Sequence, residues 1–233
     1  MSINSENNSL SAKVIYDLTS FTHLDYPNHL ACIVWFSGCN MRCDYCYNKD
    51  IVFAKDGKHS YRDILDFLKT RVNLLEAVVL SGGEATSHEL RLFCEKIKEL
   101  GFKIKLDTNG TNFKCTKELI DLNLLDYVAL DYKAPEAKFT HITHSNKFDE
   151  FSKTLDLLLG SSLEFEVRTT LHSDLLNEND INEIIIDLLK RGYKEPYYLQ
   201  EFRDTGSNIA NLQAPKNRFD KSLLLNDIEI IFR

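Results

Sequence analysis

The stretch Ala31–Phe36 (ACIVWF) is an unbroken apolar run that leads through Ser37-Gly38 into residues 39–46 (CNMRCDYC). A run without polar interruption reads as a strand buried on both faces, as strands of parallel sheets are. Outward from it the chain alternates between strand and helix. Ser60 caps a helix whose Tyr61, Ile64, Leu65 and Leu68 share one face, with Asp63 placed for a capping box. A strand follows at 76–80. Ser87 is positioned to cap the next helix, with Leu90, Phe93, Cys94 and Ile97 inward and Gly101 as its stop. Strands at 102–106, 127–130, 163–170 and 195–200 are separated by helices at 116–123, 148–159 and 180–191, the last two stopped by Gly160 and Gly192. A turn-rich stretch (204–211) and an apolar segment (223–232) close the chain.

Strands alternating with helices pair in parallel through right-handed crossovers. The unusual polar clusters lie just after the strands: 38–46, 81–86, 107–110, 131–133, 168–170 and 200–201. Residues at the C-terminal rim of a (β/α) barrel share one mouth. The expected fold is therefore α/β, a partial (β/α)6 TIM-like barrel of parallel strands.

The 233 residues suit one large domain, 13–233, behind a polar Asn/Ser-rich N-terminal tail, 1–12. The tail has no apolar core of a signal peptide, and no run is long enough for a membrane span, so a cytoplasmic protein without membrane association is expected. A net charge of −7 speaks against nucleic-acid binding, which relies on clustered Lys and Arg.

Cys39, Cys43 and Cys46 crowd into one loop, whereas Cys32, Cys94 and Cys115 stand apart. Closely spaced thiolates without export signals indicate a metal centre rather than a disulfide framework. Soft thiolates suit zinc or an iron–sulfur cluster. A structural zinc site takes four ligands, and no second Cys-x-x-Cys pair supplies the fourth. Three protein ligands leave one metal position open for chemistry. The competing reading is a non-catalytic zinc-binding module completed by a distant His or Cys.

Cys-x3-Cys-x2-Cys with Tyr45 before its last cysteine resembles the signature of radical S-adenosylmethionine enzymes. The resemblance implies a [4Fe–4S] cluster on Cys39, Cys43 and Cys46, with S-adenosylmethionine chelating the open iron. Reductive cleavage of that cofactor would yield a 5′-deoxyadenosyl radical, with Tyr45 packed near the adenine. Gly82-Gly83-Glu84 resembles the family's motif for the methionine amino group, Ala85 standing where proline is usual. Two glycines permit close backbone approach to a ligand, although an ordinary turn would use them too.

Asp107-Thr108-Asn109-Gly110 and Asp131-Tyr132-Lys133 end neighbouring strands in the pattern. Read alone, they are an Asx-type turn and a solvated charge. Both resemble segments of the activating enzymes of glycyl radical enzymes. There Asp107, Thr108 and Asp131 would surround a monovalent cation, Asp107 and Asn109 would lie at the cofactor, and Lys133 would meet its carboxylate. Arg168 requires a carboxylate partner, either the cofactor's or one such as Glu166 or Glu201. Gln200 aligns loosely with a position that contacts ribose or adenine in pyruvate formate-lyase activating enzymes, where histidine is found. His141, His144 and His172 lack ligand spacing and are expected to be structural or superficial.

Together with Leu24-Asp25-Tyr26-Pro27, the LDTNG and LDYK segments resemble the larger form of anaerobic ribonucleoside-triphosphate reductase activating proteins, Asn28 standing where glycine is usual after that proline. The partners so implied are that reductase's glycyl radical loop and a flavodoxin or ferredoxin as electron donor. Activation of another glycyl radical enzyme, of pyruvate formate-lyase type, or a small-molecule reaction of 7-carboxy-7-deazaguanine synthase type remain open on these motifs.

Overall fold

The computed structural model describes residues 10–233; positions 1–9 of the expected tail lie outside the described residues. Two compact units are present, one of residues 10–40, 50–108 and 112–128, the other of residues 41–49, 109–111 and 129–233.

The first unit carries β1 (Ile15–Thr22), β2 (Ala31–Phe36), β3 (Ala77–Gly82) and β4 (Lys103–Thr108). β2, β3 and β4 run parallel, in a register that aligns Val34 with Leu80 and Leu80 with Leu106. β1 is antiparallel to β2 and was not expected. Its sequence, IYDLTSFT, interleaves polar and apolar residues and so lacks the continuous run that betrays its neighbours. Successive side chains leave a strand on opposite faces. On one face of β2 and β3, Ala31, Ile33, Ala77 and Val79 pack with Tyr26 and partly buried Trp35 and Tyr127. On the other, Phe36 meets Tyr61 and Phe93, ring centroids 6.2 and 6.4 Å away.

The helices here are α1 (Lys49–Phe53), α2 (Tyr61–Lys69), α3 (Arg91–Glu99) and α4 (Phe113–Asp121). α2 has the expected capping box: Ser60 Oγ accepts from Asp63 N at 3.2 Å, and Asp63 Oδ2 accepts from Ser60 N at 2.7 Å. Ser87 does not cap α3. It lies in a 3-10 turn, Ala85–Ser87, and the helix begins after Leu90 without a side-chain cap. The carboxylate of Glu84 caps that turn instead, by accepting from Thr86 N. α4 starts earlier than its apolar periodicity indicated, because Asn112 provides the cap.

In the second unit, β6 (Glu164–Leu171), β7 (Tyr197–Glu201) and β8 (Ile230–Phe232) are parallel, with Val167 beside Tyr197 and Tyr197 beside Ile230. β5 (Tyr127–Asp131) ends in this unit. Only the end of the apolar segment 223–232 forms a strand. Three helices follow: α5 (Glu136–Thr143), α6 (Phe148–Leu159) and α7 (Glu178–Lys190). α6 has the expected bounds, α5 was not foreseen, and α7 starts at Glu178 because Asn177 and Asp180 form a capping box. Tyr132, Phe139, Phe148 and Phe151 pack as a ring cluster, Tyr132 lying 4.6 Å from Phe151. No described helix is long and apolar enough to cross a membrane.

Replacing Asp63 with Ala removes half of the α2 capping box. The expected loss is about 1 kcal/mol, read as a lower urea midpoint at unchanged slope, with Ser60→Ala behaving alike.

Candidate active site

β2 delivers its chain end to the cysteine loop through bonds that any residue could make. Ser37 N donates to Val14 O at 2.9 Å and Gly38 N to Ile51 O at 2.8 Å, so the residue before β1 and helix α1 hold the approach to Cys39. The end of β3 then lies along the same segment. Gly83 N donates to Phe36 O and Glu84 N to Gly38 O, both at 2.9 Å. A Cβ on Gly83 would stand 1.8 Å from the Gly38 carbonyl oxygen, and Gly82 has a φ of +112° with Phe36 N in the way of any Cβ. The paired glycines are therefore required where strand end and cysteine loop touch.

Glu84 is buried, yet its carboxylate is well supplied. Oε1 accepts from Thr86 Oγ1 at 2.7 Å, Thr108 Oγ1 at 2.8 Å and Thr86 N at 3.2 Å. His88, which the sequence did not single out, bonds the Ser37 carbonyl through Nε2 at 2.7 Å. Burial holds its pKa below the ordinary value, so the neutral ring must carry its proton on Nε2 to donate to that carbonyl. Asp107 accepts from Lys105 Nζ at 2.6 Å and from Ser81 Oγ at 3.1 Å.

In the second unit Cys43 and Cys46 lie on one turn, Cys46 N donating to Cys43 O at 3.0 Å. This loop is strapped from both sides. Arg42 N and Asp44 N donate to the carbonyls of Thr143 and Ile142 at the end of α5, while Ile209 N and Ala210 N donate to those of Cys46 and Asp44. The segment around Ile209, legible only as turn-rich, thus shapes the cysteine loop. Burial pushes the Cys43 thiol up to about 11, against the lowering influence of Lys133; ligation to iron would deprotonate it outright. His144, half-exposed, pairs with Asp44 at 2.7 Å, and His172 bonds the Gln213 carbonyl at 3.0 Å.

Lys133 Nζ sits 2.9 Å from Asp131 and 6.0 Å from the Tyr45 ring centroid. Burial opposes its charge, but Asp131, Tyr45 and Cys43 outweigh that and hold its pKa well above normal. Arg168 Nε donates to Asp131 at 2.5 Å, whereas Glu166 is 3.9 Å from its guanidinium and Glu201 pairs with Lys221 instead. Burial works against the Asp131 carboxylate, yet Arg168 and Lys133 hold it well below the usual carboxylate range. Asn109 folds onto its own turn, Oδ1 accepting from Thr111 N and Oγ1. Gln200 stands on β7 next to Thr170, partly buried.

These residues fit an iron–sulfur cluster and its nucleotide cofactor. The donors are soft thiols, and the Tyr45 hydroxyl is buried with no hydrogen-bond partner among the described residues, a polar atom left for a ligand. Among the described residues, no three His, Cys, Asp or Glu converge as ligands of one ion.

The sequence profile of the Radical SAM superfamily matches residues 33–189. The chain belongs to the radical SAM superfamily. Enzymes of this superfamily use a [4Fe–4S] cluster and S-adenosylmethionine. A Methanocaldococcus jannaschii protein assigned as a glycyl-radical enzyme activating enzyme is 30% identical over 181 residues, 73% of each chain. The pyruvate formate-lyase-activating enzyme of Streptococcus mutans is 31% identical over 55% of this chain and 54% of its own. Among solved structures, anSMEcpe with bound AdoMet superposes with a TM-score of 0.60 at 21% identity, over 72% of this chain and 50% of its own. QueE from Escherichia coli does so at 0.56 and 17% identity, over 87% of this chain and 90% of its own. The radical SAM chain thus spans about half the length of anSMEcpe and of the streptococcal enzyme. The α/β, mostly parallel, partial-barrel class read from its strand–helix alternation is that of these structures.

Two substitutions probe the site. Gly83→Ala must displace the Gly38 backbone, at a cost of about 2 kcal/mol, and the purified variant is expected to hold substoichiometric iron. Asp131→Asn leaves Lys133 and Arg168 without their shared anion and lowers stability by about 3 kcal/mol at neutral pH. Because the folded Asp131 pKa is depressed, its contribution is full above the unfolded carboxylate value of about 4 and fades as pH falls below it. Chemical denaturation across pH should show the gap between wild type and Asp131→Asn narrowing on the acid side.

Proposed function

We propose that this protein is the activase of anaerobic ribonucleoside-triphosphate reductase, installing a radical on one glycine of that enzyme. Activation of a glycyl radical enzyme is supported by the relatives at 30 and 31% identity. The observation that carries the reading is the half-buried triad of Asp131, Lys133 and Arg168, next to Tyr45 and Cys43 in the second unit. Cations held at one carboxylate are suited to receive the carboxylate of an amino-acid moiety.

In this reading Cys39, Cys43 and Cys46 hold the cluster, and Gly82, Gly83 and Glu84 receive the methionine amino group. Lys133 and Arg168 receive its carboxylate. Tyr45 and Gln200 contact the nucleoside, and Asp107 and Asn109 also bind the cofactor. Cluster and cofactor, when bound, supply one-electron reductive cleavage and hydrogen removal from the glycine Cα, the electron coming from a flavodoxin or ferredoxin. The protein's own contribution is orientation, for which the fixed backbone contacts of Gly83 and Glu84 are suited. The reductase is preferred over pyruvate formate-lyase because of Leu24–Pro27 (LDYP) and the LDTNG and LDYK segments. Tyr26, of the first of these segments, packs 5.6 Å from Tyr127 in the core of the first unit.

The test is electron paramagnetic resonance. The reduced protein with S-adenosylmethionine is expected to raise a glycyl doublet on the anaerobic reductase from the same source and none on pyruvate formate-lyase. Cofactor cleavage with the doublet only on the lyase would reassign the target, and cleavage with neither would refute glycyl activation.

A further inference from the structure

The cation site implied for Asp107, Thr108 and Asp131 does not match the partners these groups have. Thr108 turns its hydroxyl to Glu84. Asp131 is held by Arg168 and Lys133 in the second unit. Asp107 is held by an ammonium from its own strand, Lys105 Nζ, 2.6 Å from Oδ1.

Lys105 is only 3% exposed, which is unusual for a lysine on a strand. The residue two positions before Asp107 leaves β4 on the same face, so its stem runs alongside the strand towards that carboxylate. Its register neighbour on β3 is Val79, a member of the apolar cluster with Ile33 and Ala77. Those groups offer the ammonium no acceptor. A buried ammonium needs an anion, and an exposed ion pair of the same spacing would be far less binding on its members. Asp107 is in turn fixed by Ser81 Oγ on β3, so the pair is braced across two strands. A metal cation on the same carboxylate would have to sit against the positive charge already there.

We propose that Lys105 is the permanent counter-ion of Asp107, a tethered ammonium that takes the place of a monovalent metal cation and lets this protein bind S-adenosylmethionine without one. The inference rests on Asp107 lying at the cofactor, and not on which glycyl radical enzyme is the target.

The cluster-loaded protein is compared in choline, sodium and potassium chloride at equal ionic strength. Two quantities are read: the melting temperature without cofactor and the Kd for S-adenosylmethionine. The wild type is expected to differ among the three salts by less than about twofold in Kd and by about 1 °C or less in melting temperature. Lys105→Met should weaken cofactor binding in choline by about tenfold or more, and sodium or potassium should recover most of that loss and raise the melting temperature by mass action. The double variant Lys105→Met/Asp107→Asn, with no charge left to balance, should lose the salt response. A wild type that needs sodium or potassium, or a folded Lys105→Met that binds equally well in all three salts, overturns the proposal. Should Lys105→Met fail to fold, the wild-type comparison still decides it. None of these readings requires the partner enzyme.

Discussion

The junction between the end of β3 and the start of the cysteine loop depends on one backbone contact, the Glu84 amide donating to the Gly38 carbonyl at 2.9 Å. It can form only because Gly83 presents no side chain, since a Cβ there would lie inside the van der Waals shell of that same oxygen. With the contact made, the first cysteine, the glycine pair and a buried carboxylate become one rigid piece at the ends of β2 and β3. Preorganisation of this kind comes from the scaffold, ahead of any ligand, and limits what must be ordered on binding.

The second constraint is charge. Both acidic residues expected at the mouth are already compensated, Asp107 by Lys105 in one unit and Asp131 by Lys133 and Arg168 in the other. Buried ions of this kind add little net stability compared with apolar packing, but removing one member is expensive because its partner is stranded. The arrangement therefore fixes positions more than it strengthens the fold. It also keeps the Asp131 carboxylate ionised, so that Lys133 and Arg168 stay oriented by their anion.

Much of this was legible in the amino-acid sequence, for identifiable reasons. β2 was read to the residue because it is buried on both faces and its sequence is uniformly apolar. The cysteine loop was legible from its short spacings, whereas the glycine motif was legible only through the family resemblance, because an ordinary turn would use the same residues. β1 escaped, being an edge strand whose polar residues interrupt the pattern, and α5 escaped for want of an apolar stripe. His88, Ile209 and Ala210 left no signal, because two of the three act through amides that every non-proline residue possesses. Lys105 was present within an expected strand. Its weight becomes apparent only once burial is known, because a lysine on an exposed strand face would look the same.

The strap from Ile209 and Ala210 to the carbonyls of Cys46 and Asp44 changes how the connecting segment after β7 should be regarded. Surface connections ordinarily tolerate changes of length at small entropic expense. Here an added or deleted residue would be felt directly at Cys46 and at Asp44, the neighbour of Cys43. The segment is thus constrained in length while almost free in composition, and drift in its residues need not signal drift in chemistry.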